Sequence, residues 1–282
     1  MRVIHSIKKM SAYSSDKKLK KKIIGFVPTM GALHEGHLSL IRKARQENDV
    51  VIVSIFVNPA QFGPTEDFKK YPRNFQHDVY LCRKENVDAV FYPKTKEIYP
   101  SGYSTYIEVE GLSNILCGRF RPGHFKGVAT IVAKLFNIVK ADNAYFGQKD
   151  AQQAVIIKKM VQDLNMPVKI KVMPIIREID GLALSSRNAY LNPQERQAAL
   201  VLFTALNRAR RLIKNKVKDS RRIIKDLKGI IKKNRSAKID YIAVVDPDDL
   251  APLDKVKNKA LIALAVHIGK TRLIDNIVVN CN

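Results

Sequence analysis

The chain has 282 residues, 46% hydrophobic and 27% charged, which excludes a disordered body and favours two cores over one. No stretch approaches the roughly 20 apolar residues of a membrane span, and Met1-Arg2-Val3-Ile4-His5 lacks the apolar region of a secretory signal. The formal charge of +24 gathers in 17–22 and in 208–238, where 14 Lys/Arg face only Asp219 and Asp226. Apolar residues at helical spacing run through the second stretch, so a solvated basic face explains it as well as an RNA surface does. No aromatic RNA-binding pattern accompanies the charge, and no nucleic-acid partner is expected.

In chain order, 23–28 predicts a strand ending in a Pro-Thr-Met-Gly turn, 37–48 a helix and 50–57 a buried strand. A helix over 75–85, a short strand over 89–92 and a strong helix over 126–140 follow. The set closes with a strand at 144–146, a helix at 151–164 and a strand at 168–173, before Pro174. This alternation predicts βαβ units, hence an α/β, Rossmann-like parallel-sheet domain over 1–175. From 176 the pattern changes. Pro193 opens a helix reaching about 214, a second covers 220–233, and three segments, 239–245, 261–267 and 272–279, predict antiparallel strands. A smaller C-terminal α+β domain over 176–282 is expected. Cys82, Cys117 and Cys281 form no CxxC pair, which fits reduced thiols and a cytoplasmic setting.

The sharpest motif is Phe26-Val27-Pro28-Thr29-Met30-Gly31-Ala32-Leu33-His34-Glu35-Gly36-His37. A strand ends, glycines let the chain turn, and two histidines open a helix. Such a helix start aims backbone N–H groups at a phosphate, and both imidazoles can donate to phosphate oxygens. Three competing motifs fail: zinc-binding HExxH needs histidines four apart, no GxGxxG is present, and Leu264 occupies the first glycine of a would-be P-loop ending at Gly269-Lys270-Thr271. Two histidines that merely cap a helix remain an alternative.

The His-x-Gly-His loop resembles the nucleotide-binding signature of class I aminoacyl-tRNA synthetases and related nucleotidyltransferases, in which a second basic loop closes on the phosphates. Leu184-Ser185-Ser186-Arg187-Asn188 is the candidate for that loop. Phe56-Val57-Asn58-Pro59-Ala60-Gln61-Phe62 and Phe146-Gly147-Gln148-Lys149-Asp150-Ala151-Gln152-Gln153 narrow the resemblance. With Tyr71-Pro72-Arg73 and 118–125, they make the chain similar to the pantoate–β-alanine ligase family.

The resemblance implies condensation of pantoate with β-alanine through a pantoyl-adenylate, with ATP as co-substrate and Mg²⁺ accompanying it. His34, His37, Lys149, Ser186 and Arg187 would stabilise charge on the phosphates, His37 also donating a proton. Backbone across Met30, Gly31, Ala32, Leu33, His34, Glu35, Gly36 and His37 would hold ATP. So would Gly147, Gln148, Lys149 and Asp150, then Ile176, Leu184, Ser185, Ser186 and Arg187. Asn58, Gln61 and Gln153 would bind pantoate through their amides, Gln61 meeting β-alanine as well, and Arg121 with His124 would receive the β-alanine carboxylate. No protein metal ligand is expected, the C-terminal domain would act as a lid, and relatives of this kind are dimers. A nucleotidyltransferase sharing the first loop should lack the paired amides at Asn58–Gln61 and Gln152–Gln153.

Overall fold

A computed structural model of the chain describes residues 1–64 and 66–281. They form two compact units, one of 1–147 with 156–174, the other of 148–155 with 175–282. The sequence predicts a first domain unbroken to 175; the structure groups Gln148–Val155 with the C-terminal residues. Among the described residues no helix is long and apolar enough to cross a membrane.

The first unit is built on β1 (Arg2–Ile4), β2 (Ile24–Thr29), β3 (Val50–Ile55), β4 (Ala89–Phe91), β5 (Asn143–Gly147) and β6 (Lys169–Met173). All pair in parallel, in the order β1-β4-β3-β2-β5-β6. Every residue of β3 is buried, as a strand covered on both faces requires. Helices α2 (Glu35–Glu47), α3 (Phe75–Lys84), α6 (His124–Val139) and α7 (Ala151–Asp163) match expectation within a few residues, and α4 (Thr95–Ile98) and α5 (Cys117–Phe120) are single turns.

The pair β1 and α1 (Ile7–Leu19) escaped sequence reading. β1 is a three-residue edge strand, and α1 buries only Met10 and Ser14, so neither carries a usable apolar period. The basic run is partly the end of α1, where Lys17 and Lys18 complement the helix dipole.

Asn48, which follows α2, ties that helix to β5 through a polar network. The Asn48 amide donates to Ala44 O and Tyr145 Oη, each at 2.7 Å, and accepts from Asn143 at 2.7 Å, while Tyr145 donates to Glu47 at 2.8 Å. Gly25, second in β2, makes room for it, since a Cβ there would stand 2.5 Å from Asn48 Nδ2.

The order of the sheet reverses between β2 and β5. Chain leaving β2 runs on to β3 on one side, and chain leaving β5 runs on to β6 on the other. Ligands of open α/β sheets gather beyond the carboxyl ends of strands at such a reversal. β2 ends at Thr29, immediately before the histidine loop.

In the second unit, β7 (Ala237–Val245), β8 (Lys259–Ile268) and β9 (Thr271–Asn280) form an antiparallel sheet. The helix expected from Pro193 is interrupted at Ala199, giving α8 (Pro193–Ala198) and α9 (Leu200–Lys214); Leu202 N–H bonds Ala199 O there, a tighter turn than α-helix. Asn192 and Glu195 form a capping box, with Pro193 at the first helical position. Leu212, Ile213, Ile223, Leu227 and Ile231 of α9 and α10 (Ser220–Lys232) join one core with β8 and β9. Arg221, Arg222, Lys225, Lys228 and Lys232 stay exposed, so the basic stretch is the outer face of amphipathic helices.

Candidate active site

After Thr29 the chain reverses through two left-handed residues, Gly31 (φ +83°) and Ala32 (φ +50°). Alanine at positive φ is costly and persists only where its surroundings hold it. Asp78, buried on the first turn of α3, supplies that hold: its two oxygens accept from Ala32 N–H at 3.0 Å and Leu33 N–H at 2.8 Å. Thr29 Oγ1 adds a third tie, accepting from Gly31 N–H at 3.2 Å and donating to Ser54 O at 2.7 Å. Burial pushes the Asp78 carboxyl above its ordinary value, with the Leu33 and Ala32 N–H bonds pulling the other way.

The loop delivers His34 as the N-cap of α2. Its Nδ1 accepts from Gly36 N–H at 3.1 Å, and His37 Nδ1 accepts from His34 N–H at 3.3 Å, a reciprocal capping arrangement. The two histidines do cap the helix, and capping fixes their chemistry. An Nδ1 that accepts carries no proton, so each neutral ring bears its hydrogen on Nε2 and donates from there. The rings lie 4.2 Å apart between centroids. Glu35 is drawn into an ion pair with Arg42, which also holds Glu85, so backbone is what Glu35 lends the loop.

Beyond β3, Asn58 caps the single turn Pro59–Gln61. The sequence reading gave Asn58 to substrate, but its polar atoms are engaged within the unit. Nδ2 donates to Gln61 Oε1 and Gly127 O, both at 3.1 Å; Oδ1 accepts from Tyr99 Oη at 2.8 Å and Ala60 N–H at 3.3 Å. With its oxygen held by Asn58, Gln61 presents its NH₂, which lies 3.0 Å from Met30 Sδ, a weak acceptor. Asn58 thus orients Gln61.

Arg121 and His124 are tied into internal contacts as well. Arg121 grips Glu66 with two bonds, at 2.9 and 2.5 Å, and donates to His124 Nε2 at 2.9 Å; His124 Nδ1 in turn reaches Gln61 O at 2.8 Å. A guanidinium already paired with the protein's own carboxylate is a poor seat for a second one. This chain of contacts steadies the main chain at Gln61 instead.

In the second unit, Gln148–Asp150 forms one tight turn that leads into α7. Lys149 Nζ lies 3.7 Å from Asp150 Oδ2, a loose and partly exposed pair that contributes little to stability and leaves the cation available to a stronger anion. Gln153 is half-buried on the first turn of α7. Ile176 and 184–187 lie on one hairpin: Leu184 N–H donates to Ile176 O at 3.0 Å, and Arg177 bridges to Ala183. Ser185 Oγ accepts from Arg187 N–H at 3.3 Å, capping the turn Ser186–Tyr190. Asp78, Tyr99, Glu66 and Asn276 are the supporting residues that sequence reasoning missed. The adjacent polar pair Asp275-Asn276, set between Leu273-Ile274 and Ile277-Val278-Val279, is a signal in the sequence that raises the question.

A model of the pantoate–β-alanine ligase family matches residues 2–278. The chain belongs to that family. A pantothenate synthetase from Thermotoga petrophila is 54% identical over 276 residues, covering 98% of this chain and 99% of that protein. One from Fervidobacterium nodosum is 54% identical over 281 residues, covering all of both. Among solved structures, pantothenate synthetase from Thermus thermophilus matches with a TM-score of 0.93 at 42% identity, covering 98% of this chain and 99% of that one. Pantoate–β-alanine ligase from Francisella tularensis, solved in complex with beta-gamma ATP and β-alanine, gives 0.81 at 40% identity, covering 99% and 97%. As a member of the pantoate–β-alanine ligase family the chain is an ATP-using ligase.

Proposed function

We propose that this chain condenses pantoate with β-alanine in two steps on one set of residues, releasing AMP and pyrophosphate. A carboxylate oxygen of pantoate attacks the α-phosphorus of ATP, and the bond to pyrophosphate breaks. The amine of β-alanine, having lost its ammonium proton, then attacks the acyl carbon of the adenylate. The bond to AMP breaks and an amide forms.

The first step loads negative charge onto the phosphates, where fixed donors act most strongly. The observation that carries this reading is the loop at 31–37: left-handed residues held by Asp78, then two imidazoles with Nε2–H at a helix N-terminus. Lys149, Ser186 and Arg187 add donors, and Asp150 accepts from ribose hydroxyls. Mg²⁺ enters as part of the MgATP substrate, carried by phosphate oxygens and water. No group of three or more His, Cys, Asp or Glu that could hold an ion occurs among the described residues. A homodimer and a cytoplasmic location complete the reading, the second supported by three cysteines present as thiols. A lid role for the C-terminal domain over 176–282 requires that 184–187 gain hydrogen-exchange protection when ATP is added; unchanged protection would count against it.

The reaction is tested by product analysis. Pantothenate should form only when ATP, pantoate and β-alanine are all present, with one AMP and one pyrophosphate for each. ADP and orthophosphate in their place would mean an acyl-phosphate route and overturn the adenylate.

Substrate roles divide the two glutamines. The Gln61 NH₂ rests on a thioether that a pantoate oxygen can displace, whereas Gln153 opens α7 and faces only the first step. Gln61→Ala should slow both adenylate formation and its transfer to β-alanine, and Gln153→Ala mainly the former. Each loss is about 5- to 150-fold, the equivalent of roughly 1–3 kcal/mol for an unpartnered buried polar group. Single-turnover assays with β-alanine added after the adenylate separate the steps; wild-type transfer by Gln61→Ala would remove its second role.

A further inference from the structure

One buried side chain outside the segments assigned to ATP is bonded to one of them at three points. Asn276, 3% exposed on β9, donates from Nδ2 to Gln148 O at 2.9 Å and Lys149 O at 3.0 Å, and its Oδ1 accepts from Gln148 Nε2 at 3.3 Å. Both hydrogens of the amide are thereby used, and used on two consecutive peptide groups.

A trans peptide is planar, with its C=O and N–H pointing in opposite directions. Fixing the carbonyls of Gln148 and Lys149 therefore fixes the N–H groups of Lys149 and Asp150, turned away from Asn276. It also sets the direction in which the Lys149 side chain leaves the backbone. The neighbouring residue works in the same sense on the other nucleotide segment of this unit. Asp275 holds Arg177 by two bonds, at 2.7 and 2.8 Å, and Arg177 Nη1 donates to Gly181 O at 2.9 Å inside the hairpin joining Ile176 to Leu184. Asp275 Oδ1 also accepts from Asn276 N–H at 2.7 Å, which ties the two braces together.

We infer that Asn276 is a positioning residue for adenylate formation: it locks the Gln148–Asp150 turn so that Lys149 and the N–H groups beside it meet the phosphates of ATP already aligned. The inference rests on the role proposed above for Lys149. Only a carboxamide of this length supplies two donors and an acceptor at once. Aspartate would set carboxylate oxygens against two carbonyls, leucine would offer nothing, and serine would keep a single donor.

The test compares Asn276→Ala, Asn276→Ser and Lys149→Ala, singly and combined, by thermal melting, KM for each substrate and single-turnover rates of both half-reactions. Asn276→Ala should retain a cooperative melt, lower adenylate formation about 10- to 100-fold or raise the KM for ATP to match, and transfer preformed adenylate to β-alanine at the parent rate. Asn276→Ser should fall between. Because Asn276 acts through the turn, adding Asn276→Ala to Lys149→Ala should cost much less than the product of the two single losses. A general loss of folded enzyme would instead reduce both half-reactions alike and leave KM unchanged, overturning the proposal. So would parent-like adenylation in Asn276→Ala beside an impaired Lys149→Ala, full multiplication of the two losses, or failure of both Asn276 variants to fold. An unimpaired Lys149→Ala would overturn the underlying role of Lys149, a result distinguishable from all of these.

Discussion

His37→Ala and Lys149→Ala should each fold and yet lose adenylate formation by about 10²–10³-fold, the usual cost of removing one preorganised donor from developing charge. His37 donates from Nε2 because its Nδ1 is committed to His34 N–H, so the ring is held in donor form before substrate arrives. The alanine variant also loses half of a capping arrangement, which lowers stability by about 1 kcal/mol, well short of unfolding. Lys149 pairs loosely with a carboxylate 3.7 Å away, so its removal should leave stability nearly unchanged. Thermal melts alongside single-turnover adenylation separate these effects. Near-parent adenylation in either variant would remove that residue from phosphate stabilisation.

Asp78→Ala should be the most damaging substitution outside the residues that meet substrate. It orphans the N–H groups of Ala32 and Leu33, a loss of about 2–6 kcal/mol at roughly 1–3 kcal/mol for each buried unpaired donor. It also frees a loop whose Ala32 sits at φ +50° only because it is held. Asp78→Asn separates stability from function. Burial raises the Asp78 pKa above 3.8, so the folded protein binds that proton more tightly than the unfolded chain does. The contribution of Asp78 to stability is therefore full below 3.8 and declines as pH rises through the raised value. At neutral pH the ionised carboxylate is kept despite its desolvation, because it accepts twice. An asparagine in its place would be spared that desolvation but keep one acceptor. Asp78→Asn should thus melt within about 1–2 kcal/mol of the parent at pH 7 while adenylating at least about tenfold more slowly. Parent-like adenylation by Asp78→Asn would show that the brace on 31–33 does not matter to the reaction.

The sequence made one part of this architecture plain and hid another for a physical reason. Val50–Ile55 reads as a buried parallel strand because an unbroken apolar run has few other homes. The histidine loop is equally legible, since a strand, two glycines and a helix start lie within a dozen residues. What supports it is not legible. Asp78 lies 45 residues from Leu33, and Asn276 lies 127 from Lys149, distances over which no local pattern operates. Asn58 shows the complementary limit: its residue type fits a substrate ligand, and only the positions of Tyr99, Gly127 and Gln61 reveal which internal partners its amide holds. Gln148–Val155 was assigned to the first domain because it follows β5 without a break; the bonds from Asn276 show why it packs with the second unit.

The two-histidine loop and its partners should make an adenylate of pantoate before β-alanine takes part. Exchange of labelled pyrophosphate into ATP measures that step directly. Exchange should require pantoate, proceed without β-alanine and collapse in His37→Ala. Exchange that ignores pantoate, or none at all in an enzyme that still forms pantothenate, would contradict it.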